Sequence, residues 1–296
     1  MSTSGAHGEP LAAQHRAVIE ARLCVLRAGL GEHALADFSF SNLLLFRGAH
    51  QWRYHAGDWP GLSGFAYDGQ AHFFPLFDLR RAPAAVSASL LQRFGCLFPV
   101  AGCHVPDALP AGATLTALRS EADYLYPLEN FLFYRGTRLR KKRHQMTQLL
   151  TRYRLRCLPL SADRSGAALA VLDHWLRDKA KLRGEADDLP CRQALADPHT
   201  LGLEGWLHWA GDEPAGFVLA EPLQGGTWVV RFAKGLERFD GIYPAMFHEL
   251  ACQLESRARW LNFEQDLGVP GFRQSKLSYQ PVALLPKYRL HLRCEA

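Results

Sequence analysis

The sequence predicts an α+β protein of two similar halves, each a mixed sheet flanked by helices. Three observations predict it. Short aromatic segments divided by glycine turns, around Trp52–His55, Leu62–Tyr67 and Ala71–Phe77, suit an antiparallel meander. A second set, GWLHWA, AGFVLAEPL and TWVVRFAKG, reads as a hairpin plus a third strand. Each set is followed by a helical segment and another strand-like run, the second in the order β-β-β-α-β. With no exact internal repeat, the shared rhythm places a division near residue 158, giving halves 1–157 and 158–296.

In chain order, residues 1–9 read as a flexible tail and 9–32 as a helix. Pro10 suits a first turn, Val18, Ile19, Leu23, Val25 and Leu26 supply an apolar face, and Gly29 and Gly31 end it. FSFSNLLLFR then leads into the meander, with Asn42 and Arg47 read as a turn residue and a surface cation. Residues 83–96 form a second helix, and 97–118 a Pro/Gly-rich connection with one short strand. DYLYPLENFLFY precedes a basic stretch, 135–156, with nine Arg or Lys and no acid in 22 residues. Leu139, Met146, Leu149 and Leu150 interleave at near-helical spacing, so an amphipathic helix is expected. Its charge suits a phosphate or nucleic-acid partner, although basic helices also serve as solvated faces. Residues 167–181 read as a helix burying Leu169, Val171, Leu172, Trp175 and Leu176. The 182–203 segment reads as polar and turn-rich. After the second meander, LERFDGIYPAMFHELACQLESRARW is a helix with Met246, Phe247, Leu250, Ala251 and Leu254 inward. PVALLPKYRLHLRC closes the chain as strand.

Composition bounds the function classes. The chain has 296 residues, 48% hydrophobic and 21% charged, enough for a sizeable core. Its net charge of +5 fits an anionic ligand without proving a nucleic-acid partner. Seven cysteines with no CxxC pair argue against a disulfide framework, and thirteen histidines without HxH or HExxH spacing argue against a metal site. No apolar run is long enough to span a bilayer, and the N-terminus lacks the order of a signal peptide. A soluble, cytoplasmic protein is expected.

The chemistry concentrates in Trp260–Tyr279, WLNFEQDLGVPGFRQSKLSY. Asn262, Glu264 and Asp266 alternate with apolar or neutral neighbours, so a strand would set all three on one side. Gly268, Pro270 and Gly271 then redirect the chain before Arg273, Lys276 and Tyr279. Such a set can line a cleft for a charged substrate or form a structural ion-pair network. Three strands running through a glycine turn into a helix also describe the N-acyltransferase core, whose helix N-terminus holds a pyrophosphate. The corresponding turn here is Arg238-Phe239-Asp240-Gly241-Ile242-Tyr243. Gly241 fits; Tyr243 would crowd a pyrophosphate and Asp240 would repel it.

GIYPAMFHELA with WLNFEQDLGVPGFRQSKLSYQPVALLPKY resembles the C-terminal signature of the phosphatidylglycerol lysyltransferase C-terminal family. DYLYPLENFLFYRGTRLRKKRHQMTQLLTRY and FSFSNLLLFR resemble its central and N-terminal motifs, so the likeness runs from about residue 37 to 289. The resemblance implies two tandem GNAT-like (N-acyltransferase) domains, as in the Fem peptidyltransferases. It implies an acyltransferase moving an aminoacyl group from aminoacyl-tRNA to an amine or hydroxyl. No cofactor beyond that co-substrate is implied; acyl-CoA is the alternative donor, and a non-catalytic RNA- or ligand-binding module the third reading. Family members fused to a membrane flippase modify phosphatidylglycerol. No such membrane half is present in the sequence, so a small molecule or peptide is as open an acceptor as a lipid headgroup.

For that reaction class, Glu264 and Asp266 are expected to take a proton or grip an ammonium, and Tyr279 to donate to an oxyanion. Asn262, Arg273, Lys276, Lys234, Arg231, Glu221, Gly241 and Tyr243 are the expected substrate-binding residues. Arg138, Arg140, Lys141, Lys142 and Arg143 are expected to meet tRNA. Each also has a plainer reading, as an ion-pair partner, a buried and satisfied phenol, or a solvated cation.

Overall fold

The computed structural model of the chain describes residues 8–31 and 34–293, so most of the expected N-terminal tail, the end of the first expected helix and Cys294 lie outside the described residues. Contacts divide the chain into two compact units. Unit 1 takes the residues up to Asp123, Gln265–Val269 and those from Leu285 onward; unit 2 takes Tyr124–Glu264 and Pro270–Leu284.

In unit 1, strands β1 (Glu9–Pro10), β2 (Arg53–His55), β3 (Gly61–Phe65), β4 (Ala71–Pro75), β5 (Cys96–Val100), β6 (Ala113–Ala117) and β14 (Tyr288–Leu292) form one sheet, ordered β1-β2-β3-β4-β5-β14-β6. The pairs from β1 to β4 are antiparallel and β4–β5 is parallel. A parallel neighbour needs a crossover. Helix α4 (Ala84–Phe94) provides it, and its Leu91 packs with Phe73, Leu97 and Leu290 in the core. Helices α1 (Arg16–Ala28), α2 (Phe40–Leu45) and α3 (Arg47–His50) complete the unit.

Unit 2 repeats the plan. Its sheet runs β13 (Ala283–Leu285), β7 (Asp123–Pro127), β12 (Trp260–Asn262), β11 (Thr227–Gly235), β10 (Glu213–Pro222), β9 (Glu204–Ala210), β8 (Leu155–Pro159). The pairs β8–β9, β9–β10 and β10–β11 are antiparallel. Helix α9 (Ile242–Leu254) crosses over, and β12 returns parallel to β11. Helices α5 (Glu129–Phe133), α6 (Arg140–Arg152), α7 (Ser165–Asp178), α8 (Asp188–Ala196) and α10 (Pro270–Leu277) flank the sheet. No described helix is long and apolar enough to cross a membrane.

Several elements differ from expectation. The division near residue 158 does not match the contacts: Leu125, Tyr126 and Pro127 of β7 pair antiparallel with Asn262, Leu261 and Trp260, which draws the central segment into unit 2. Glu9 and Pro10 are in a strand rather than a tail or helix, and α1 starts at Arg16. Only Ile19, Leu23 and Leu26 of its apolar residues are buried, at i, i+4 and i+7, while Val18 and Val25 face outward. In α7, Ala168 rather than Leu169 completes the buried stripe. Two short helices, α8 and α10, lie where turns were expected.

One glycine is required by its surroundings. Gly241 caps α9 with φ +91°, and a Cβ there would stand 2.2 Å from the carbonyl oxygen of Gln145 in α6. The backbone of the basic helix therefore lies against the turn that opens α9. Gly241→Ala should cost on the order of 3 kcal/mol, from left-handed strain plus the clash. Gly69→Ala, with φ +80° and open space around it, should cost only about 1–2 kcal/mol. Urea unfolding of both variants checks this; equal losses would contradict it.

Candidate active site

Strands β11 and β12 pair only over Thr227–Val229 and Trp260–Asn262. Beyond that register the two strands are no longer paired, and Glu264 is tied in place there. Its φ is +57°, a left-handed conformation that costs a non-glycine residue free energy. Its surroundings over-determine it. Its N–H donates to Asn262 Oδ1 at 2.7 Å, and its carbonyl accepts from the Tyr124 N–H at 3.2 Å and from Lys276 Nζ at 3.3 Å. Its carboxylate accepts from Arg231 Nη1, while 26% of the side chain stays exposed. Glu264 is therefore an acid fixed in place with a face open to solvent.

Arg231, on β11, has a fully buried side chain and also donates from Nε to the buried Glu221 of β10. Burial opposes its charge, but the Glu221 and Glu264 carboxylates outweigh that and hold the guanidinium above its usual pKa. Lys276 Nζ also donates to the Phe263 carbonyl. Its own carbonyl accepts from Tyr126 Oη at 2.9 Å, which anchors α10.

A second group lies farther along β11. Lys234 Nζ is 2.6 Å from Asp187 Oδ1 and 3.9 Å from the centre of the Trp175 ring. Tyr243 Oη accepts from the Gly235 N–H and from Trp175 Nε1, both at 3.2 Å. Tyr243, in the first turn of α9, is thus tied to the end of β11 and to α7.

Helix α6 presents two kinds of cation. Arg138, just before it, with Arg140, Lys141 and Arg143 are exposed, and Arg143 donates to the Tyr134 carbonyl. Lys142 differs. Its ammonium lies 4.1 Å over the ring of Tyr279. Tyr279 is 3% exposed and packs against Phe131, Phe247 and Phe263. Burial, with a smaller contribution from Tyr243, pushes its phenol above the usual pKa. Burial, helped by Lys141, pulls the Lys142 ammonium down to about 8.

The structure thus brings together Asn262, Glu264, Lys276, Arg231 and Glu221 in one cluster, Lys234, Gly241 and Tyr243 in a second, and Tyr279 with the basic helix in a third. Asp266 does not join them. It belongs to unit 1, is fully buried, and accepts from Arg119 Nη1 at 2.9 Å and the Gly268 N–H at 2.8 Å. The expected alternation fails because β12 stops at Asn262 and the left-handed Glu264 ends the extended run. Arg273 sits partly buried on α10. Sequence reasoning missed Asp187 and Trp175 as partners of Lys234, and Tyr124 and Tyr126 as anchors of the 263–276 segment. Only the aromatic density of DYLYP hinted at the last two. Among the described residues, no group of three or more His, Cys, Asp or Glu could hold a metal ion.

Two measurements separate support from exposure at this site. Arg231→Met strands the buried Glu221 carboxylate and should cost about 3–5 kcal/mol in urea unfolding. Glu264→Gln, partly exposed, should cost about 1–2 kcal/mol; the reverse order would contradict the geometry. For Lys142, the folded pKa lies below the unfolded value, so the folded state binds fewer protons between about pH 8 and 10.5. Stability linked to this group must rise with pH across that window. The wild type should therefore gain on Lys142→Met between pH 7 and pH 10; a constant gap would refute the burial of this amine.

The fold and sequence have known counterparts. A structure of a conserved protein of unknown function from Bacteroides thetaiotaomicron is 24% identical, covers 96% of this chain and 99% of its own, with a TM-score of 0.80. L-PGS from Bacillus licheniformis is 15% identical over 98% of this chain and 95% of its own, with a TM-score of 0.63. A tandem GNAT protein from the clavulanic acid biosynthesis pathway is 12% identical over 97% and 98%, with a TM-score of 0.52. These likenesses show the fold: two GNAT-type units in tandem. No curated protein matches the chain. The family model for the C-terminal region of phosphatidylglycerol lysyltransferase matches residues 29–291, and the chain belongs to that family.

Proposed function

We propose that the protein is an acyltransferase that moves an aminoacyl group from aminoacyl-tRNA to an amine or hydroxyl acceptor. Membership of an acyltransferase-type family on a tandem GNAT fold supports the reaction class. The observation that carries the reading is Glu264, a carboxylate held in a strained backbone conformation by four separate contacts yet open on one face. Strain of this kind persists where the surroundings impose it, and it concentrates at working sites.

An aminoacyl ester is already activated, so the protein has mainly to position the acceptor and manage one proton. The acceptor nitrogen or oxygen attacks the ester carbonyl carbon. Glu264 takes the acceptor's proton, and a proton returns to the ribose oxygen as the carbon–oxygen bond to tRNA breaks. The products are an amide or ester and free tRNA. Arg231 holds the acid in place from behind and, fully buried, does not meet the substrate itself. Tyr279 is too deeply buried to serve as the expected oxyanion donor and instead carries the Lys142 ammonium on its ring.

Two features bear on the donor. Arg138, just before the basic helix, and Arg140 and Lys141 on it are exposed cations suited to phosphates. The turn before α9, where an acyl-CoA pyrophosphate would need open backbone amides, has the Gln145 carbonyl against Gly241 and the exposed Asp240 beside it. These features favour tRNA over acyl-CoA.

The test is transfer of label from a mixture of charged tRNAs to small amines and alcohols. Ribonuclease should abolish it, and Glu264→Gln should lower kcat by about 10²–10⁴-fold while leaving tRNA binding intact. Converting Arg138, Arg140 and Lys141 together to Glu should weaken tRNA binding and flatten its salt dependence by about 2–3 units of slope. Transfer from acyl-CoA, with a melting-temperature rise on adding coenzyme A and none with tRNA, would overturn the proposal.

A further inference from the structure

Unit 1 contains a cavity of about 220 Å³ that the transfer reaction as described does not use. Its wall is a chain of rings. His50 lies 5.1 Å from Trp52 and 4.7 Å from Tyr67; Trp52 meets His72 edge-on at 5.0 Å, and His72 meets Phe98 at 5.5 Å. Asp37, Asp68 and Glu121 also line it, and no lysine or arginine does. In a chain of net charge +5, this cavity has the opposite sign.

Two cations on or beside β14, neither of them lining the cavity, pair with its carboxylates. Lys287 Nζ contacts Asp37 and is 2.8 Å from Asp123. Arg289 contacts Glu121 and is 2.9 Å from Asp68. Of these carboxylates, Asp37, Asp68 and Glu121 line the cavity, so its lining is negative although each is paired. The two histidines do not offset it at neutral pH. Burial lowers the pKa of His50, and lowers that of His72 to about 4. His50 Nδ1 is held at 2.7 Å by the Phe65 carbonyl.

An anion would be repelled here. A divalent metal ion lacks a converging set of three ligating side chains among the described residues. A neutral apolar ligand would leave the carboxylates without benefit. Carboxylates combined with ring faces suit an organic cation, whose charge meets the acids while its carbon skeleton meets the rings. At about 30 Å³ per water, the cavity has room for roughly seven waters, the size of a small amine.

We propose that this cavity is a binding site for a small alkylammonium compound, with the ammonium toward Asp37, Asp68 and Glu121 and the alkyl chain along Trp52, Tyr67 and Phe98. The site needs nothing from the transfer reaction, so its test runs without RNA and its failure would leave that reading untouched.

The test is calorimetric titration of the full chain at pH 7 with three probes of one shape: pentylamine, pentanol and pentanoate. Pentylamine, a cation at this pH, should bind; pentanol should bind at least about 10-fold more weakly, and pentanoate not at all. Tyr67→Ala and Asp68→Asn change half-exposed side chains, so the fold should survive, and each should weaken pentylamine binding by about 3–5-fold. Binding of pentanol or pentanoate as tightly as pentylamine would overturn the proposal. So would affinity unchanged in both variants, or no binding of pentylamine.

Discussion

The buried guanidinium of Arg231, set between Glu221 and Glu264, is the contact on which the candidate site depends. Once the β11–β12 pairing ends, the β12 chain needs another restraint. Arg231 reaches from β11 to supply it. A charge with no exposed surface is tolerable only when its partners are fixed and close, and here two carboxylates share it. One carboxylate is buried and the other is partly open. That asymmetry makes Glu221 the counterion that keeps Arg231 in place, and leaves Glu264 as the group that can meet a substrate.

The same logic extends to the basic helix. Its interior face is not simply apolar: the backbone carbonyl of Gln145 lies against the turn at Gly241, and Lys142 lays its amine on Tyr279. The helix is thereby fixed to α9 and to the aromatic cluster while Arg138, Arg140 and Lys141 face water. A face used for packing and a face left charged are separate in space although interleaved in sequence. In unit 1 the arrangement is inverted, with Lys287 and Arg289 buried and carboxylates turned toward the cavity.

Much of this was legible in the residues. The two meanders, the crossover helices and the hairpin from GWLHWA to AGFVLAEPL follow from strand alternation, glycine turns and helical stripes, and the quoted motifs carried the family. Short helices were not legible. The 182–203 segment around α8 read as polar and turn-rich, and Pro270 with Gly271 in α10 as turn signals, yet proline is compatible with a first helical turn. Helix α2 hid inside an apolar run without period, marked only by Ser39 as its N-cap. At the site, Glu264, Arg231 and Glu221 were named from their chemistry, but their pairing was not. Register between β10 and β11 decides it, and that is a long-range property. Asp266 was grouped with Glu264 because a period of two was extended past a residue that turns left-handed. The cavity of unit 1 draws on residues from 37 to 267, so no local pattern announces it.

The account stands or falls on whether Arg231 and Glu264 act as one unit. A double-mutant cycle, with Arg231→Met, Glu264→Gln and the pair, measures this by equilibrium unfolding. A buried shared charge predicts a coupling of about 1–3 kcal/mol between the two positions. Additive effects, with coupling within about 0.3–0.5 kcal/mol of zero, would mean that Arg231 does not hold Glu264 where the structure places it.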